Sequence, residues 1–304
     1  MRAIVQWAVV AVCSATWCGA PIGVAAVAAF GVATVVATPA GAQTLNLPPR
    51  PRGAPNGRAF LSTIAPLTLQ EREEAIYTQV TAGNVPNFLR TLVPVTVQAT
   101  TNGVTHSATF YVAPEYLVIG SDDDYVLMSM TPTLAQRIAN RLDCSLPTPK
   151  MVDAIYAAAA VKLRPQNITP TPAMTTVPVF AQHNDSVAIL RREQLAAHPL
   201  GALVAGHQKD IVITNEINNP APKGRVAIYG WHRLNGEPIQ QLYIGHVDWW
   251  ADYSHGVRLV QQAILVDGAP RTVREVLNTD NLALLLSDEG LVPNAKYPTP
   301  EPRL

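Results

Sequence analysis

The chain has 304 residues, 22 basic and 22 acidic side chains, only 14% charged residues and 48% hydrophobic ones. The balanced charge excludes electrostatic steering toward nucleic acid or anionic lipid. The apolar content supports one large domain or a core with a small subdomain.

The chain opens as an export signal. Arg2 supplies the positive start, Ala3 to Thr38 is apolar and rich in small residues, and Ala40-Gly41-Ala42 offers a small-residue cleavage site before Gln43. The protein is therefore expected to be secreted or periplasmic after cleavage near Ala42, touching a membrane only through that segment. An uncleaved anchor is the alternative. Cleavage removes two of the three cysteines and leaves Cys144 without an intrachain partner.

Gln43 to Arg58, with Pro48, Pro49, Pro51 and Pro55, reads as a flexible lead-in. Thr68-Leu69-Gln70-Glu71 is a capping box, so a helix is expected from there to about Ala82, with Gly83 as its stop. Leu92 to Thr100 and Val104 to Ala113 alternate as strands around an Asn102-Gly103 turn. Tyr116 to Ile119 and Tyr125 to Met130 suggest a second pair turning at Gly120 to Asp124, whose three aspartates read as a solvated turn. Thr131-Pro132 and Thr148-Pro149 open two short helices. Residues 164–178 read as a crossing loop or subdomain boundary. Phe180 to Leu195 is helical, with His183 on its apolar face. Strands are expected at 211–214, 225–231, 239–245 and 257–266. Short helices capped by Thr272 and Asp280 follow, and 293–304 reads as a tail. Separate runs of strands and helices indicate α+β, a mainly antiparallel sheet with helices packed to one side, in a single domain over 59–292.

The chemistry-bearing groups crowd into the later half. Four of the seven histidines, His207, His232, His246 and His255, fall between 207 and 255. His232 and His246 are expected at strand ends and His255 on the segment entering a third strand, where a sheet holds catalytic groups rigid. They are candidate bases, and Asp248 or Asp252 is the candidate orienting carboxylate. Lys209 and Arg258 are candidates for holding a carboxylate or stabilising developing negative charge. His207, Tyr229, Trp231, Trp249 and Tyr253 are further candidate substrate-binding groups. A three-ligand zinc site from His232, His246 and His255 is open as an alternative, although the spacing matches no short zinc motif. No Gly-x-Ser-x-Gly elbow, phosphate loop or dinucleotide fingerprint is present.

Asp143-Cys144-Ser145 and Arg225-Val226-Ala227-Ile228-Tyr229-Gly230 resemble segments of the NlpC/P60-type cell-wall amidases, papain-like cysteine enzymes. That resemblance implies Cys144 as nucleophile. Arg225, however, stands where the family places its catalytic histidine, and Leu146-Pro147 replaces the glycine and apolar residue. An inert buried thiol is the competing reading. Gly206 to Asp210, Tyr229 to His232 and Asp252 to Leu259 also resemble segments of a group of exported bacterial proteins of unassigned activity. The expected function is that of an exported hydrolase acting on a cell-envelope or extracellular polymer, with a Cys144 or water nucleophile. A non-catalytic glycan- or peptide-binding envelope protein is the alternative, and a structural envelope protein a third.

Overall fold

Helix starts follow the capping chemistry. The Thr68 hydroxyl accepts the Glu71 N–H, and the Glu71 carboxylate accepts the Thr68 N–H at 2.9 Å, so two otherwise orphaned amides are satisfied reciprocally. Thr131 and Thr148 accept the N–H groups of Leu134 and Met151 ahead of prolines that need no donor. The computed structural model describes residues 43–218 and 224–299. The expected export signal and its cleavage site lie outside these residues. No helix among them is long and apolar enough to cross a membrane.

The helices are α1 (Gly57–Ile64), α2 (Leu69–Thr81), α3 (Pro132–Arg141), α4 (Pro149–Ala158), α5 (Val177–Gln194) and α6 (Val273–Leu277). The strands are β1 (Val93–Thr101), β2 (Val104–Val112), β3 (Val118–Gly120), β4 (Tyr125–Leu127), β5 (Cys144–Ser145), β6 (Val161–Lys162) and β7 (Val204–Ala205). They continue as β8 (Lys209–Ile211), β9 (Ile228–His232), β10 (Pro238–Tyr243), β11 (His255–Gly256), β12 (Val260–Gln261), β13 (Ala263–Val266) and β14 (Ala269–Thr272). The fold is α+β with mainly antiparallel sheet.

β1 and β2 pair from Val93↔Val112 to Thr101↔Val104. Asn102 and Gly103, with φ of 52° and 78°, make the tight turn that matches strand twist. β2 also joins β12 and β13, giving the order β14-β13-β2-β12-β5 with β1 alongside β2. The second sheet, β10-β9-β8-β11, carries Lys209, Tyr229, Trp231, His232 and His255 among the candidate site residues, and its β8–β11 pair is parallel.

Several expectations are corrected. The proline-rich lead-in belongs to the fold: Thr44 bridges Thr91, Leu45 is buried, and the Arg50 guanidinium bonds Asn84 and the Gly120 carbonyl. Proline there fixes φ and lowers the entropy cost of ordering the segment. α1 then begins at Gly57, where a Cβ would lie 2.7 Å from the Tyr125 backbone. Residues 293–299 of the expected tail are anchored too, because Tyr297 is buried and its hydroxyl donates to the Val212 carbonyl at 2.6 Å. The strand expected over 257–266 is broken into β12 and β13, which pair with different residues of β2. Residues 164–178 run within one unit, Ala40–Leu304, and the Ile168 N–H bonds the Tyr253 hydroxyl at 3.0 Å.

Candidate functional site

Register places the candidate groups. Lys209 of β8 lies opposite Gly230 of β9 on one side and His255 of β11 on the other. Trp231 has φ of 57°, a backbone region rarely adopted by a bulky residue. The turn in β9 sends the Trp231 ring to the Lys209 ammonium, 4.8 Å from the ring centroid, and to Tyr253. Tyr229 and His232 face α4 instead, both bonding the Asp153 carboxylate.

Asp252 is the centre of the first cluster. Its Oδ1 accepts the Ser254 N–H at 2.8 Å and the Ser254 hydroxyl at 2.6 Å. Its Oδ2 accepts the Trp250 indole N–H at 3.3 Å and lies 3.7 Å from His255 Nε2. His255 is buried, and neither ring nitrogen has a hydrogen-bond partner among the described residues. Such groups are costly and call for a specific reason. His246 is only partly buried, stacks on Trp250 with centroids 5.3 Å apart, and is 6.2 Å from the His255 ring. It links the buried pair to the surface.

Electrostatics sorts the protonation states. Burial pulls His255 down to about 4 against the partial opposition of Asp252, so the imidazole is neutral at neutral pH. Burial raises Asp252, but His255, Lys209 and the Ser254 bonds outweigh it and hold the carboxyl down to about 2. Lys209 and His246 are both lowered, chiefly by burial. His183, expected in the core, is buried against Tyr253 and pulled down to about 3 by burial.

A second, fully internal network holds His207 and Arg258. His207 Nε2 lies 3.2 Å from Glu115 Oε1, and its ring meets the edge of Tyr116. The Tyr116 hydroxyl donates to Asp210 at 2.8 Å, while the Arg258 guanidinium stacks 3.9 Å from the Tyr116 ring centroid. Arg258 also donates to the carbonyls of Ala113 and Val204 at 3.0 and 2.7 Å. Burial raises Glu115, yet His207 and Arg258 together keep it below the usual carboxylate range. Burial dominates at Asp210 and lifts it to about 6. His207 and Arg258 are therefore corrected from substrate-binding to core roles. Tyr253 is likewise buried and committed to Ile168.

The four histidines do not converge. His232 Nε2 is 2.9 Å from Asp153 Oδ1, on the α4 side of β9. That separates it from His246 and His255, so the zinc reading is corrected: among the described residues no group of three His, Cys, Asp or Glu is placed to hold a metal. Asp248 is corrected as the orienting carboxylate. Its backbone N–H bonds the Gly224 carbonyl and its carboxylate lies against Gly224. Trp249 is 62% exposed and stays available as a binding face.

Comparison with protein-family models, curated proteins and solved structures finds no match.

Cys144 is corrected as nucleophile. It sits on β5, pairs with Gln261 and is buried, with Sγ directed at the Leu142 carbonyl. Burial pushes the thiol up to about 12, which suppresses the thiolate. The 550 Å³ cavity it borders with Asp143, Gln262 and Arg274 has no histidine in its lining. Arg225 donates to the Gly245 carbonyl and offers no base.

Asp153 and Glu115 are the participants sequence reasoning missed. Trp250 and Ser254 lie inside the histidine-rich stretch itself. Asp153 and Tyr156, spaced i and i+3 on α4, share a helix face, a signal available from spacing alone. Glu115 had no such signal, because its partner His207 is distant along the chain.

Proposed function

We propose that the protein is an exported hydrolase of a cell-envelope or extracellular polymer, with His255 and His246 as its acid–base pair and water as nucleophile. The observation that carries this reading is the buried, neutral imidazole of His255, free of hydrogen-bond partners, beside the ionised Asp252. A neutral imidazole accepts a proton, and a fixed carboxylate stabilises the imidazolium that results. Water gives that proton to the histidine pair as its oxygen bonds to the scissile centre, and the leaving group takes the proton as its bond breaks. The part-exposed His246 is the member that meets substrate, and His255 supports it from beneath. Lys209 supplies positive charge against the developing oxyanion. Trp249 and Trp250 offer flat faces at the rim. Ser254 is not the nucleophile, since its hydroxyl donates to Asp252 and not to an imidazole.

The test is hydrolysis of peptidoglycan and of common extracellular polysaccharides by the purified protein, with product ends quantified. Turnover is expected, and it persists with chelator and with iodoacetamide, because no thiol or metal is required. Inhibition by iodoacetamide in the folded protein would return the reaction to Cys144. No turnover on any polymer, with binding retained, would replace the hydrolase by a binding protein.

A further inference from the structure

On the other side of β9, α4 and the β9–β10 hairpin enclose a cavity of about 350 Å³. We propose that this cavity is a binding site for a neutral saccharide unit, separate from the Asp252–His255 centre. The hairpin is fixed over α4, since the Tyr156 hydroxyl donates to the Arg233 carbonyl at 2.7 Å and Gly236, with φ of 92°, makes the turn. The Asp153 carboxylate lines the cavity and is held from behind. It accepts the Tyr229 hydroxyl at 3.0 Å and His232 Nε2 at 2.9 Å, and His232 is itself stacked on Tyr156 with centroids 4.4 Å apart. The Nε2 facing a carboxylate is the protonated nitrogen, so Asp153 is oriented before any ligand arrives.

Asp153 keeps 50% of its side chain exposed, so acceptor capacity remains toward the cavity. Lys162 lines the same space with its ammonium 5.0 Å from the Tyr156 ring centroid, and Asn235 adds an amide. Leu234 and Pro238 provide apolar wall. One carboxylate and one ammonium cancel, so neither an anion nor a cation is favoured by net charge. A ligand must donate to Asp153, accept from Lys162 or Asn235, and lay C–H surface on Leu234 and Pro238. A pyranose, with hydroxyls on its rim and C–H groups on its faces, meets all three demands. An extended peptide pairing on β10 does not fit: that edge strand starts at a proline, is bulged between Gln240 and Tyr243, and has side-chain amides bonded to its own carbonyls.

The test is isothermal titration calorimetry of the purified protein with the tetrasaccharides of cellulose, chitin, starch and xylan, and with alanyl-alanine as the zwitterionic competitor class. At least one tetrasaccharide is expected to bind saturably. Asp153→Ala should weaken it by about tenfold or more, the scale of one lost charged hydrogen bond. Lys162→Ala and Leu234→Ala, both at exposed positions, should weaken it several-fold while leaving the melting temperature within a few degrees. No saccharide binding, binding indifferent to all three substitutions, or a preference for alanyl-alanine would overturn the proposal. Saccharide binding without hydrolysis would leave it standing and sink the hydrolase reading, whereas peptide hydrolysis without saccharide binding would do the reverse.

Discussion

Arg258→Met is expected to destabilise the protein by about 3–5 kcal/mol, read as a lowered urea midpoint at unchanged slope. The guanidinium is fully buried, and its charge is one of the influences that oppose the burial cost at Glu115 and Asp210. Removing it leaves, in a dry interior, Glu115 facing His207 and Asp210 facing the Tyr116 hydroxyl, His207 and His232, and it abandons the carbonyls of Ala113 and Val204. Methionine keeps most of the volume, so the loss reports charge and hydrogen bonding more than a cavity. Adding Glu115→Gln and Asp210→Asn to the same chain should recover part of the loss, because the uncompensated charges then disappear. By contrast, Arg58→Ala should change stability by less than about 1 kcal/mol, since that pair with Asp185 is screened at the surface. A shift of similar size for Arg258→Met and Arg58→Ala would show that the internal network has been misassigned.

His255→Gln is expected to lower kcat by about 10²- to 10⁴-fold, the range over which a positioned acid–base group contributes. Glutamine retains polar atoms near the ring positions but cannot accept and release a proton near neutral pH. Asp252→Asn should cost a comparable factor, because the carboxylate stabilises the imidazolium and fixes Ser254 and Trp250. The double variant should be scarcely worse than either single one, as groups acting as a unit are strongly non-additive. Circular dichroism and melting of each variant separate lost chemistry from lost fold. If the two effects multiplied independently, His255 and Asp252 would belong to different functions.

Local structure was legible where local chemistry decides it. The capping boxes at Thr68 and Thr272, the prolines at 132 and 149 and the Asn102-Gly103 turn all mark element ends in the folded chain. The histidine-rich stretch was also legible as a cluster, because Asp252, Ser254 and His255 are neighbours in sequence and in space. What could not be read was direction. An alternating strand would be expected to send Trp231 and His232 to opposite faces and Tyr229 with Trp231. The positive φ at Trp231 instead leaves Tyr229 and His232 together on Asp153. Partners across the chain were equally hidden: Glu115 meets His207 and Asp153 meets His232 only after the sheet closes. Proline content misled at 43–58 and hid an ordered segment, since proline stiffens a packed segment as readily as an open one.

The pH dependence of kcat/KM on the polymer that is turned over tests the acid–base assignment most directly. Protonation of the His246–His255 pair removes the base, and burial lowers both members, the inner His255 to about 4, while Asp252 stays ionised to about 2. Activity should therefore hold from neutrality into mild acid and fall as pH drops through about 4. An acid limb at the ordinary histidine value of 6.5, or one unchanged by Asp252→Asn, would place the working base elsewhere and contradict the buried His255–Asp252 centre.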